Sequence, residues 1–207
     1  PVTIDSDYTW LQYAQVTALS NGDIVVGYRD GNAADHVLKI YSSTGVLTNT
    51  IDFGGPGISG NTLSILENSD GGITAAYEEG GEIYLQAWDQ NYNQLIAPVQ
   101  LSALSEATNM HPEIIELSSG GYYVVWQHTN PDGTIDLWGQ AISSTGALIG
   151  EAYHIGSNVT DDSVTNTRPS ITELNSGEIL VSWTGDSSDG SGSGIVQQIV
   201  GTGLQIS

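Results

Sequence analysis

Chemistry in this chain rests on carboxylates, histidines and aromatic rings, because it contains no cysteine. That absence excludes thiolate metal centres, disulfides and a cysteine nucleophile. His36, His111, His128 and His154 stand singly, with no His-x-x-x-His pair and no Gly-x-Ser-x-Gly elbow. What remains is oxygen chemistry: 24 Asp and Glu against three basic residues, Arg29, Lys39 and Arg168. A glycosidase needs two carboxylates a set distance apart, one of them held protonated, and so many acids do not single out a pair. Calcium wants six to eight oxygens on a backbone bent by glycine. Acidic, glycine-containing loops at residues 30–35, 78–82, 130–136 and 186–194 are of that kind. Their best ligand candidates are Asp132 with Asp136 and Asp186 with Asp189, although none has the full spacing of a calcium-binding loop.

A second group of candidates pairs aromatic faces with hydrogen-bonding side chains. Trp10, Tyr13, Asn109, His111, Asp161, Asp162, Asn166 and Arg168 all lie in segments that enter a new structural unit. A sugar ring, apolar on one face and hydroxyl-rich at its edge, calls for such a mixture. The net charge of −21 argues against nucleic acid, which needs Lys and Arg to neutralise phosphates, and against an anionic membrane surface. No apolar stretch approaches the roughly 18 residues of a membrane span, so no insertion is expected. Pro1 in place of an initiator Met suggests a processed product or an excised domain.

The elements that must position these residues are repeated. Leu19-Ser-Asn-Gly22, Asn68-Ser-Asp-Gly71, Leu117-Ser-Ser-Gly120 and Leu174-Asn-Ser-Gly177 align without gaps, and an aromatic follows six residues later as Tyr28, Tyr77, Trp126 and Trp183. Each glycine is flanked by alternating apolar strands, and the Asn/Ser-Gly turn predicts a two-residue hairpin. A third strand, a second turn and a fourth strand follow. Four units of about 50 residues, each four-stranded, match the period of β-propeller blades. The reading is all-β: a single domain over 1–207, a four-bladed propeller with repeats at approximately 11–55, 58–103, 109–157 and 166–207. Residues 1–5 are expected to complete the last blade, because Pro1–Ile4 resembles Pro98–Leu101 and the fourth unit lacks half a strand.

Internal repetition separates scaffold from site. Glu116 and Glu173 recur at one register and read as scaffold, as do the four strand-end aromatics. The residue before the proline position differs every time, as Tyr13, Gly60, His111 and Arg168, so the mouth of the central channel is the candidate ligand site. The units Pro112–Trp126 and Pro169–Trp183, of the form Pro-x-Ile-x-x-Leu-x-x-Gly, resemble tandem repeats of bacterial secreted, calcium-associated (RTX-type) adhesins. That resemblance implies a secreted or cell-surface setting. The leading expectation is a non-catalytic binding module, carbohydrate-binding or adhesin-like and stabilised by calcium. The alternatives are a glycan-processing enzyme, glycosidase or lyase, using Asp161 or Asp162 with another mouth carboxylate, and a calcium-binding spacer without a ligand.

Overall fold

The computed structural model describes residues 12–30, 35–54, 62–102, 108–157, 168–186 and 193–201. They form four antiparallel meanders and, among the described residues, no helix. Sheet 1 is β1 (Gln12–Ala18), β2 (Ile24–Asp30), β3 (Asp35–Tyr41) and β4 (Leu47–Phe53). Sheet 2 is β5 (Leu63–Glu67), β6 (Ile73–Glu79), β7 (Glu82–Trp88) and β8 (Gln94–Gln100). Sheet 3 is β9 (Thr108–Glu116), β10 (Tyr122–Thr129), β11 (Ile135–Ile142) and β12 (Leu148–Gly156). Sheet 4 has three described strands, β13 (Ser170–Glu173), β14 (Ile179–Asp186) and β15 (Ser193–Val200).

The repeated glycine ends a turn one residue longer than its sequence suggests. In each unit the glycine N–H donates to the carbonyl three residues back: Gly22 to Leu19, Gly71 to Asn68, Gly120 to Leu117 and Gly177 to Leu174, at 2.8–2.9 Å. The glycines hold φ between 77° and 93°. This is a type I turn closed by a left-handed residue, a three-residue loop in place of the expected two-residue one. The turn before the fourth strand is built alike, and in sheet 2 Tyr92 takes the glycine's place at φ 65°. A tyrosine there accepts backbone strain that Gly45 and Gly146 avoid in sheets 1 and 3.

First strands touch in sequence, β1 to β5, β5 to β9 and β9 to β13, so they line a common axis. Between consecutive sheets lie three apolar cores. Tyr77 packs with Val25, Leu38 and Phe53 of sheet 1; Trp126 with Ala76, Ile83 and Leu85 of sheet 2; Trp183 with Val125 and Leu137 of sheet 3. Three of the four recurring aromatics are therefore the inter-sheet wedges expected of a propeller. Acids latch two of these joints on the turn side. Glu67 accepts from the Ser20 N–H at 2.6 Å, and Glu173 from the Ser118 N–H and hydroxyl, both at 2.7 Å.

The expected ring closure is corrected. No apolar core joins sheet 4 to sheet 1 among the described residues, and the last sheet shows three strands. Residues 1–5, expected to supply its fourth strand, lie outside those described.

Candidate functional site

The strand order puts the start of every first strand at one end of the axis, with the acidic second hairpins around it. Two of these starts are bulged: pairing slips between Gln12 and Gln15 in β1, and opposite Val125–Gln127 in β9. At each bulge a bulky residue holds left-handed backbone, Tyr13 at φ 57° and His111 at φ 54°. Such conformations are costly for non-glycine residues and re-aim the side chain they carry.

What they re-aim is a ring of equivalent residues, each nine positions before a turn glycine: Tyr13, Thr62, His111 and Arg168. In the second unit the equivalent is thus Thr62, and the assignment to Gly60 is corrected, because Gly60 stands eleven residues before its turn glycine and Thr62 nine. The four converge. His111 N–H donates to Thr62 Oγ1 at 2.9 Å, the His111 ring lies edge-on to Tyr13 at 6.4 Å, and the Arg168 guanidinium sits 5.6 Å above the Tyr13 ring. A guanidinium over an aromatic face is attracted by the ring's quadrupole. Each sheet therefore contributes one member to the ring.

Two positions further in, the equivalents are Gln15, Ser64, Glu113 and Ser170. Glu113 is the carboxylate of this layer. It is hydrogen-bonded to Ser64 of sheet 2 and feels the charge of Arg168 beside sheet 4. Burial raises its pKa above the usual carboxylate range, while the Ser64 hydrogen bond and Arg168 pull the other way. A carboxyl whose pKa burial raises is of the kind a general acid needs. Sequence reasoning missed Glu113. The signal was present: counting back seven from each turn glycine gives one carboxylate and three neutral residues.

The other candidates fall elsewhere. Asn109 is buried as a tie between sheets 2 and 3. Its amide donates to Gly81 O at 2.9 Å and Glu82 at 3.2 Å, and its Oδ1 accepts from Trp126 Nε1 at 3.1 Å. The same oxygen meets His128 Nδ1 at 2.8 Å, which makes Nδ1 the protonated nitrogen of that ring. Trp10, Asp161, Asp162 and Asn166 lie outside the described residues. Asp132 accepts from the Thr134 N–H at 3.0 Å and hydroxyl at 2.6 Å, which is turn chemistry. Asp136 accepts from Asn130 at 2.9 Å and stands 3.7 Å from His154 Nε2. Asp186 ends β14, its side chain outside the described set, as is Asp189. Among the described residues no group of three acids or histidines is arranged to hold a metal ion. Asp132 and Asp136 are thus engaged by groups of their own sheet.

No family model and no curated protein matches this chain in sequence. Solved structures do match its fold. An endo-arabinase from Bacteroides thetaiotaomicron aligns with 96% of this chain and 79% of its own at 14% identity and TM-score 0.54. A GH43 β-1,3-galactosidase aligns over 91% and 71% at 10% identity and TM-score 0.55. A Hadza microbial sialidase gives TM-score 0.62 at 11% identity over 92% of this chain, which spans 45% of the sialidase. The fold is thus of the β-propeller type shared by these proteins. The leading expectation of a non-catalytic binder is corrected by these neighbours, since the names of all three are those of enzymes that act on glycans.

Proposed function

We propose that this chain is a glycan-cleaving enzyme of the glycosidase type, acting at the axial mouth. The observation that carries the reading is Glu113, a carboxyl whose pKa burial raises, set between Ser64 and Arg168 and two residues inward of the Tyr13–His111 pair. In its protonated form Glu113 donates to the glycosidic oxygen as the bond from that oxygen to the anomeric carbon breaks. Water adds to the anomeric carbon and gives its proton to a second carboxylate. Asp161 and Asp162, just before Arg168 in the chain, are the sequence's candidates for that second group and lie outside the described residues. Tyr13 offers an aromatic face to a sugar ring, and Arg168 a planar fork for hydroxyl or carboxylate oxygens. The secreted setting implied by the repeat resemblance suits an extracellular polysaccharide substrate.

The test is product release from arabinan, β-1,3-galacto-oligosaccharides and a sialylated lactose, followed by chromatography. Glu113→Gln should lower the rate by roughly 10²–10⁴-fold with melting temperature and glycan affinity retained. Absence of product from all three substrates, or an unchanged rate in Glu113→Gln, would sink the reading.

A further inference from the structure

Repetition makes each sheet face comparable with its counterparts, and among the described residues two faces are left uncovered. Two residues after the turn glycine, Ile73 and Ile179 are 0% exposed against the preceding sheet, whereas Ile24 in sheet 1 is 37% exposed. On the opposite face, Ile83 and Leu137 are 0% exposed but their equivalent Ile195 is 80% exposed. Ile40 and Ala87 are likewise 0% exposed, and their equivalent Ile199 is 53% exposed. The latch follows the same division. Glu67, Glu116 and Glu173 stand four residues before their turn glycines, and sheet 1 has Ala18 there. Sheet 4 is therefore given no acid by sheet 1 to clasp its turn. Yet the two sheets meet at the axis, where Arg168 covers Tyr13. Surfaces that touch at the axis and stay uncovered further out bound a wedge.

Both walls of that wedge keep the apolar residues that the other joints bury, and exposed apolar strand faces mark interaction surfaces. We propose that the wedge between sheets 4 and 1 receives one further four-stranded unit of the same repeat type. Its strand-end aromatic face would lie on Ile195 and Ile199, and its opposite face on Ile24 and Val26. Two observations select this occupant. Each of the three existing joints pairs these same two faces, so one more unit continues an established interface. The chain covers 79% of the endo-arabinase, which leaves a remainder of that enzyme on the order of one unit in length. A second copy of the chain is a poorer occupant. It could cover one wall only, and would repeat the open wedge at its far end in a head-to-tail, non-closing contact. Each copy would also bring a charge of −21 to the contact.

Because the protein lacks cysteine, single-cysteine variants report these surfaces directly. Ile24→Cys and Ile199→Cys in the 207-residue chain are expected to react with a thiol reagent roughly a hundredfold faster than Ile73→Cys. The same variants are then made in two extended chains, with a copy of residues 62–102 or of 109–157 appended after residue 207. In at least one of these, labelling at both wedge positions should slow about tenfold or more while the protein remains monomeric. Slow labelling in the monomeric 207-residue chain would mean that the ring closes on itself, overturning the proposal. So would protection that appears only where the mass doubles, or unchanged labelling in both extended chains.

Discussion

His36 gives this fold a sensitivity to acid whose size follows from its surroundings. It occupies the β3 position that is Ile83 and Leu137 in the next two sheets. It is buried, with its ring between Phe53 at 5.4 Å and Tyr77 at 5.2 Å. Its Nε2 has no hydrogen-bond partner. Burial first, and then the charge of Arg29, pulls its pKa from 6.5 down to about 4. A displacement of that size is worth about 3 kcal/mol. Folding favours the neutral ring, so the stability His36 contributes is whole above pH 6.5 and is lost as the pH falls toward 4. His36→Leu installs the residue of sheet 3 and removes the titration. Its advantage over the parent should therefore widen by about 3 kcal/mol between pH 7 and pH 4. The variant should already lead at pH 7 by about 1 kcal/mol or more, since the unpartnered Nε2 is gone. Urea unfolding followed by tryptophan fluorescence at stepped pH measures both. Parallel loss of stability in the two proteins, despite the many carboxylates they share, would show that His36 protonates without penalty, and the burial argument would fail.

Trp126→Ala should cost about 3–5 kcal/mol in thermal unfolding, as truncation of a buried large aromatic does. Trp126→Phe should cost about 1 kcal/mol, because Asn109 Oδ1 keeps His128 as a partner; a loss under about 1 kcal/mol for the alanine variant would remove the aromatic from the joint between sheets 2 and 3. Arg168→Gln withdraws the cation that pulls the Glu113 pKa down. Activity depends on protonated Glu113 and falls as pH rises through its pKa, so the basic limb of the pH–rate profile should move to higher pH. A limb that stayed in place or moved down would mean that Arg168 does not act on Glu113.

The repeat, the all-β class and the strand-end aromatics were legible in the linear sequence because they depend on local chemistry. A glycine tolerates the left-handed φ that the turn demands, and an alternating strand shows which residues share a face. The same count from the turn glycine picked out Tyr13, His111 and Arg168 as unrepeated, since four copies in one chain act as each other's controls. Other features required the third dimension. Thr62 was within reach of the same count, nine residues before Gly71, but its contact with His111 depends on how sheets 2 and 3 are set against each other. Glu113 looked like one acid among 24, because what distinguishes it is burial within the assembled fold, together with Ser64 and Arg168, which come to it from sheets distant in sequence. Asn109 showed the reverse: a polar residue with the composition of a ligand site, whose amide is spent on Gly81 and Glu82 of sheet 2 and on Trp126 and His128 of its own sheet. Closure, finally, is a sum of small rotations from sheet to sheet. No residue encodes that sum, and only the assembled arc shows sheet 1 and sheet 4 meeting at Tyr13 and Arg168 while Ile24 and Ile195 stay exposed.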